Sequence, residues 1–228
     1  MQIPAPAWRR DLILRAVVFA NGVLSDPQKS LSFILQDDIL IAADGGALHC
    51  RSLGLTPDVL IGDFDSLETK EVAELEARGA KVIRHPARKD FTDLELALRH
   101  ARELGAKHIL VMAALGNRWD QTLANLLLPA SESFLEVDIR LLDGHQEILL
   151  VRAGQTVEIE GQRGDILSLI PLYGDAHGIT TYGLEYPLNE GTLTFGSTRG
   201  ISNVLVEKKA RVSLRKGLLV GVLIHGSK

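Results

Sequence analysis

Apolar residues in the first two thirds of the chain come in short unbroken runs separated by amphipathic stretches. Residues 16–20 (AVVFA), 39–43 (ILIAA), 58–61 (DVLI), 81–84 (KVIR) and 108–112 (HILVM) read as strands, with 139–142 (IRLL) a sixth. Runs with no polar alternate face are expected where helices cover both sides of a parallel sheet. Between them, residues 47–53, 68–78, 92–104 and 119–128 carry helical spacing. Strand and helix in alternation predict a doubly wound α/β sheet.

The pattern changes after about Arg152. Short β-rich pieces punctuated by glycine follow at 156–160, 166–173, 178–182, 191–195, 200–207, 211–214 and 218–224. Residues 211–215 alternate polar with apolar, as a half-solvated antiparallel strand does. Short strands with frequent turn signals predict a small all-β sandwich or barrel. The α/β domain is accordingly assigned to residues 1–148 and the smaller sandwich to 149–228, with the boundary falling within 144–154.

A length of 228 residues accommodates one large domain or two small ones, each with its own core. The net charge of −4 and the lack of a Lys/Arg-rich run argue against a nucleic-acid partner. The single cysteine, Cys50, rules out an intrachain disulfide and a Cys-rich zinc site, and a cytoplasmic location is expected. Arg9, Arg10, Asp11 and Arg15 break up the N-terminal apolar stretch, so no signal peptide is expected. No apolar span reaches 18 residues, so no membrane helix is expected either.

The chemistry collects on aspartates near strand ends. Asp44 follows the second strand and precedes Gly45 and Gly46, and Asp63 and Asp65 follow the third. Asp90 and Asp93 flank a helix start, and Asp120 comes after the fifth strand and the turn at Gly116 and Asn117. The carboxyl ends of parallel strands all open on one edge of the sheet, where ligands bind, so these acids are expected to converge. Each also has a purely structural reading. Asp65 and Asp93 suit helix N-termini, Thr92 and Glu95 form a T-x-x-E capping pattern, and Asp44 before two glycines suits a turn.

Carboxylates that converge repel unless a cation joins them. Oxygen donors without cysteine or clustered histidine fit Mg²⁺ rather than zinc. Mg²⁺ usually shares its shell with substrate phosphates, which points to phosphoryl-transfer chemistry. Lys89 and Arg118, each beside a candidate aspartate, are candidates for phosphate oxygens or for plain surface charges. Neither G-x-x-x-x-G-K-[ST] nor G-x-G-x-x-G occurs, although Gly45 and Gly46 opening a helix offer backbone N–H groups. His49, His100 and His177 lack metal-ligand spacing and are read as packing or surface residues, and Cys50 as core.

In combination these segments resemble the thiamine pyrophosphokinases. The matching pieces are Ala43-Asp44-Gly45-Gly46, PDVLIGDFDS from Pro57 to Ser66, KDFTDLELAL from Lys89 to Leu98, GNRWDQTLAN from Gly116 to Asn125, and Gly200-Ile201-Ser202-Asn203. IGDFDS followed by KDxTDxExAL is the specific part, and GISN alone is not. The resemblance implies a nucleotide-binding α/β domain, a β-sandwich domain, and a homodimer with its sites between subunits. It also implies ATP as diphosphoryl donor and thiamine as acceptor. By motif position, Asp63, Asp65 and Asp93 become the metal and catalytic carboxylates. Asp44, Gly45, Gly46, Lys89, Asp90, Thr92, Arg118, Asp120, Gln121, Asn125, Ser202 and Asn203 become ligand contacts, with Arg118 on phosphates and Ser202-Asn203 on the thiamine side. Two positions depart from the pattern: Gln121 stands where histidine is common, and Val204 where glutamate is.

Two other readings compete. LIGDFDS is superficially like the D-x-D nucleophile of haloacid-dehalogenase phosphatases, with Asp63 forming an aspartyl-phosphate. That motif follows the first strand in those enzymes, whereas here it follows the third. The other reading is a thiamine or nucleotide sensor without catalysis.

Overall fold

The computed structural model describes residues 14–226. The N-terminal residues Arg9, Arg10 and Asp11, on which the expectation about a signal peptide partly rests, lie outside the described residues. The chain divides into two compact units between Gly144 and His145.

In the unit ending at Gly144, six parallel strands are laid down: β1 (Arg15–Phe19), β2 (Ile39–Ala43), β3 (Val59–Gly62), β4 (Lys81–Arg84), β5 (His108–Met112) and β6 (Asp138–Asp143). Their order across the sheet is β6-β5-β1-β2-β3-β4. The chain walks outward from β1 to β4, then crosses to the other side of β1 for β5 and β6. Strand β1 is therefore central, and every one of its residues is buried, which explains its unbroken apolar run.

Helices α1 (Pro27–Ser32), α2 (Gly46–Ser52), α3 (Thr69–Ala77), α4 (Asp93–Glu103) and α5 (Trp119–Leu127) connect the strands. Helix α4 shows why pattern predicts structure here. Leu94, Ala97, Leu98 and Ala101 are buried at i, i+3, i+4 and i+7, and this stripe packs across β1, β2 and β3. Helix α1 was not expected from apolar spacing. Asp26 caps it, its side chain accepting from Lys29 N, and Pro27 opens the first turn. Nearby, the buried Arg15 guanidinium forms an ion pair with Asp38 and also donates to Phe33 O at 2.8 Å. Asp38 in turn accepts from Leu35 N at 2.6 Å, so the pair ties the loop before β2 to the start of β1.

From His145 onward all strand pairings are antiparallel. The strands are β7 (Gln146–Arg152), β8 (Thr156–Glu160), β9 (Ile166–Pro171), β10 (Ala176–Tyr182), β11 (Gly191–Leu193), β12 (Asn203–Val204), β13 (Lys209–Ser213) and β14 (Leu218–Ile224). They form two layers, β12-β9-β14-β7 and β11-β10-β13-β8. Leu149, Leu167 and Leu219 from the first layer and Ile159, Ile179 and Val212 from the second share one apolar core.

Strand β7 was not among the expected strands, because its apolar run sat inside the presumed domain boundary. The stretch 200–207 contributes only the two-residue β12. Gly200 and the left-handed Ser202 (φ 61°) make a turn of what the pattern read as strand. Among the described residues, no helix is long and apolar enough to cross a membrane.

Candidate active site

Strand β2 runs straight into Asp44, which is 5% exposed and left-handed (φ 46°). Its backbone N–H donates to Ile61 O on β3 at 2.9 Å. Strand β3 ends at Gly62 and delivers Asp63-Phe64-Asp65. Phe64 is also left-handed (φ 63°), its ring is buried, and the Arg84 guanidinium lies 4.9 Å from the ring centroid. The ring acts as an anchor between the two acids. With Phe64 fixed, the Asp65 N–H donates back to Asp63 Oδ1 at 3.3 Å. Non-glycine residues in this conformation carry strain that the surrounding structure must hold.

The result is a group of three carboxylates. One oxygen each from Asp44, Asp63 and Asp65 lies within 4.8 Å of the others. Asp44 Oδ2 meets only a long contact from Asn21 Nδ2 at 3.5 Å. Asp44 Oδ1 is buried and has no hydrogen-bond partner among the described residues. A buried, unpartnered carboxylate oxygen beside two further acids is costly unless a cation supplies the missing partner. The donor set is all oxygen, so it fits a hard ion such as Mg²⁺.

Glycines make the close approach possible. A Cβ on Gly45 would fall 2.2 Å from Asn21 Oδ1, and one on Gly46 would fall 2.0 Å from Phe19 O. Their first duty is thus to let the start of α2 lie against the end of β1. A Cβ on Gly62 would meet Asp93 Oδ1 at 3.0 Å and Asp44 Cβ at 3.2 Å, so Gly62 leaves the space that these two acids share.

Asp93, expected among the metal carboxylates, lies outside the group of three. It opens α4, where Thr92 is the N-cap and its Oγ1 accepts from Glu95 N at 3.2 Å. Glu95 turns its own carboxylate to Arg99 at 2.8 Å, so the capping pattern is met on the Thr92 side. Asp93 Oδ1 lies 2.8 Å from Lys89 Nζ, and the same ammonium lies 3.3 Å from Asp63 Oδ2. Burial pushes the Asp93 carboxyl above its ordinary pKa; Lys89 works against this, and the charges of Asp63 and Asp44 add to it. Burial works to lower the Lys89 ammonium, but the bonds and charges of Asp93 and then Asp63 outweigh it and the pKa is raised.

The remaining expected residues are spread more widely. Asp90 is exposed. Asp120 is exposed too, and its carboxylate receives Arg118 Nε at 3.2 Å, which holds it below the usual carboxylate range. Neither acid belongs to the group of three. Gln121 is exposed on α5. Asn125 Nδ2 donates to Ala114 O at 2.6 Å, and Thr122 Oγ1 bonds both the N–H and the carbonyl of Gly116, so these side chains brace the loop after β5.

In the second unit, Ser202 N donates to Ser168 Oγ at 3.0 Å. The Asn203 amide grips the Tyr186 backbone at both ends, accepting from Tyr186 N at 3.0 Å and donating to Tyr186 O at 2.8 Å. The His49 and His177 rings are hydrogen-bonded, His49 Nε2 to Gly22 O at 2.9 Å and His177 Nδ1 with Thr192 Oγ1 at 3.2 Å. Cys50 is buried, and that burial pushes its thiol up to about 12.

One site neighbour escaped the sequence reading. Asn21, just past β1, donates to Ser66 Oγ at 3.1 Å as well as facing Asp44. The Asn-Gly pair following the first strand was the signal available for it.

Residues 31–141 match the family described as thiamin pyrophosphokinase, catalytic domain, and residues 155–219 match its vitamin B1 binding domain. The thiamine pyrophosphokinase of Bacillus subtilis (strain 168) is 33% identical over 180 residues, 79% of this chain and 84% of that one. The chain belongs to the thiamin pyrophosphokinase family. Thiamine pyrophosphokinase 1 of Oryza sativa subsp. japonica is 27% identical over 80% of this chain and 70% of its own. The crystal structure of the Bacillus subtilis enzyme superposes with a TM-score of 0.82 at 30% identity, covering 93% of this chain and all of that one. That of the Geobacillus thermodenitrificans enzyme gives 0.79 at 26% identity, covering 95% and 99%. The family matches do not favour the phosphatase or sensor readings, and the sheet order agrees, since D-x-D ends β3 rather than the central β1.

If the three carboxylates hold a divalent ion, Mg²⁺ raises the melting temperature of the native protein by binding the folded state alone. Asp44→Asn and Asp63→Asn are expected to remove most of that rise, and Asp120→Asn to keep it. Differential scanning calorimetry with and without Mg²⁺ checks this, and equal loss in all three variants contradicts the grouping.

Proposed function

We propose that the protein is a thiamine diphosphokinase, transferring the diphosphoryl group of ATP to the hydroxyl of thiamine. The observation that carries this reading is the buried Asp44 carboxylate, grouped with Asp63 and Asp65 and with its Oδ1 unpartnered among the described residues, inside the segment that matches the catalytic domain. In this reading Asp44, Asp63 and Asp65 hold Mg²⁺, which supplies neutralising charge for the donor's phosphates. Asp93 adds its charge to the cluster and fixes Lys89 over it. The thiamine oxygen forms a bond to the β-phosphorus while the bond from that phosphorus to the oxygen bridging to the α-phosphate breaks. AMP departs with the bonding pair, and the hydroxyl proton passes to a cluster carboxylate or to solvent. Such catalysis is mainly positioning and charge stabilisation.

Ser202 and Asn203 serve the thiamine side. Asn203 acts through Tyr186, a residue 68% exposed whose backbone is clamped at both N–H and carbonyl. An exposed aromatic face on an anchored backbone suits the fixed positive charge of the thiazolium ring. Arg118 meets phosphate oxygens once it leaves Asp120.

The protein works as a cytoplasmic homodimer in this reading. Support comes from α5, where Trp119, Leu123 and Leu127, spaced four apart, are 76%, 54% and 49% exposed. A one-faced apolar stripe of this kind marks an interaction surface.

Incubating the protein with ATP, Mg²⁺ and thiamine is expected to give AMP and thiamine diphosphate in equal amounts. Release of inorganic phosphate instead, or binding without turnover, contradicts the assignment. Light scattering is expected to give a dimer of the 24.9 kDa chain. Leu123→Glu with Leu127→Glu is expected to give a monomer, and a native protein that is fully active as a monomer rejects the dimer.

A further inference from the structure

Asp63 belongs to two assemblies at once. One of its oxygens counts toward the three-carboxylate group, yet Oδ2 lies 3.3 Å from Lys89 Nζ and Oδ1 accepts from Asp65 N. Its carboxylate is engaged on both sides, whereas Asp44 Oδ1 is buried and open. The Lys89 side chain is only 10% exposed and reaches Asp93 Oδ1 at 2.8 Å. The ammonium therefore sits inside the acidic cluster rather than out in solvent.

We propose that Lys89 is a built-in counter-cation of this cluster, which a divalent ion must displace from Asp63 before it can bind. This rests on the reading that Asp44, Asp63 and Asp65 hold such an ion. Two positive species cannot share Asp63 at close range without mutual repulsion, which is strong where water is sparse. The metal alone is thus bound weakly. An anion that draws the ammonium off Asp63, such as a phosphate oxygen, removes the obstacle, and by reciprocity the metal then favours the anion. Asp93, four residues on at the first turn of α4, keeps hold of Lys89, so the movement is a short swing from one carboxylate. The cluster is loaded more readily by metal and polyphosphate together than by metal alone.

The test uses Mn²⁺ as the probe, titrated calorimetrically into nucleotide-free protein. Lys89→Met is expected to bind Mn²⁺ about tenfold more tightly than the native protein, or better, because one nearby positive charge is gone. Lys89→Arg, which keeps the charge, is expected to bind as the native protein does. Unchanged or weaker binding in Lys89→Met overturns the proposal and leaves the three-carboxylate site standing. Asp44→Asn in the native and Lys89→Met backgrounds is the control. If no protein binds Mn²⁺, the cation site itself fails and the proposal falls with it.

A second measurement needs no variant. The Lys89 ε-ammonium signal of ¹⁵N-lysine-labelled native protein is followed by NMR while diamagnetic Mg²⁺ is added. A shift that saturates with the binding isotherm is expected, and a signal unchanged at saturation overturns the displacement. Neither readout depends on AMP formation, so failure of the diphosphokinase assignment is seen separately.

Discussion

Like charges crowded at the end of a sheet dominate the construction of the α/β unit. Asp44, Asp63 and Asp65 bring one oxygen each within 4.8 Å of the others, with Asp93 adding its field from α4. Repulsion would open this edge if the backbone were free to yield. Two left-handed residues, Asp44 and Phe64, aim the acids, and the buried Phe64 ring pins the loop between two of them. Gly45, Gly46 and Gly62 clear the space in which the strand ends and α2 close up. Lys89 returns one positive charge to the cluster. Strain and unpaired charge concentrated in one place are the usual mark of a functional site, sustained by the stability of the sheet behind it.

Much of the sheet could be read from sequence because burial on both faces leaves a plain trace. The runs at 39–43 and 108–112 coincide with β2 and β5; 81–84 coincides with β4, an edge strand with no buried residue, whose trace is weaker. Helix α1 left no such trace. It is six residues long, among them only Ser30 is buried, and it is held by its cap rather than by an apolar stripe. Strand β7 has the apolar trace but stood where a linker was expected. Its partner β14 lies about seventy residues later in the chain, and such a long-range pairing has no local signal.

The site was legible as a set of strand-end acids, but not in its membership. Topology says that such acids share an edge; it does not say which side chains meet. Asp120 was placed with the others by that rule, yet the i, i+2 spacing to Arg118 gives it a closer partner. Asp93 and Lys89 stand four apart, a spacing that pairs them across the start of a helix. Asp44 had an ordinary turn explanation, and its depth of burial and unpartnered oxygen among the described residues set it apart. Asn203 likewise reads as a ligand contact in the motif, whereas both ends of its amide go to the Tyr186 backbone, a partner seventeen residues away.

The proposed cation site is built from three carboxylates at the ends of β2 and β3. Crystals of the protein grown with Mn²⁺ and an unreactive ATP analogue, with diffraction recorded at the manganese absorption edge, test it most directly. An anomalous peak within coordinating distance of Asp44, Asp63 and Asp65 is expected. A peak bound by Asp93 and Asp120 with Asp44 left out, or no peak at this edge of the sheet, would contradict it.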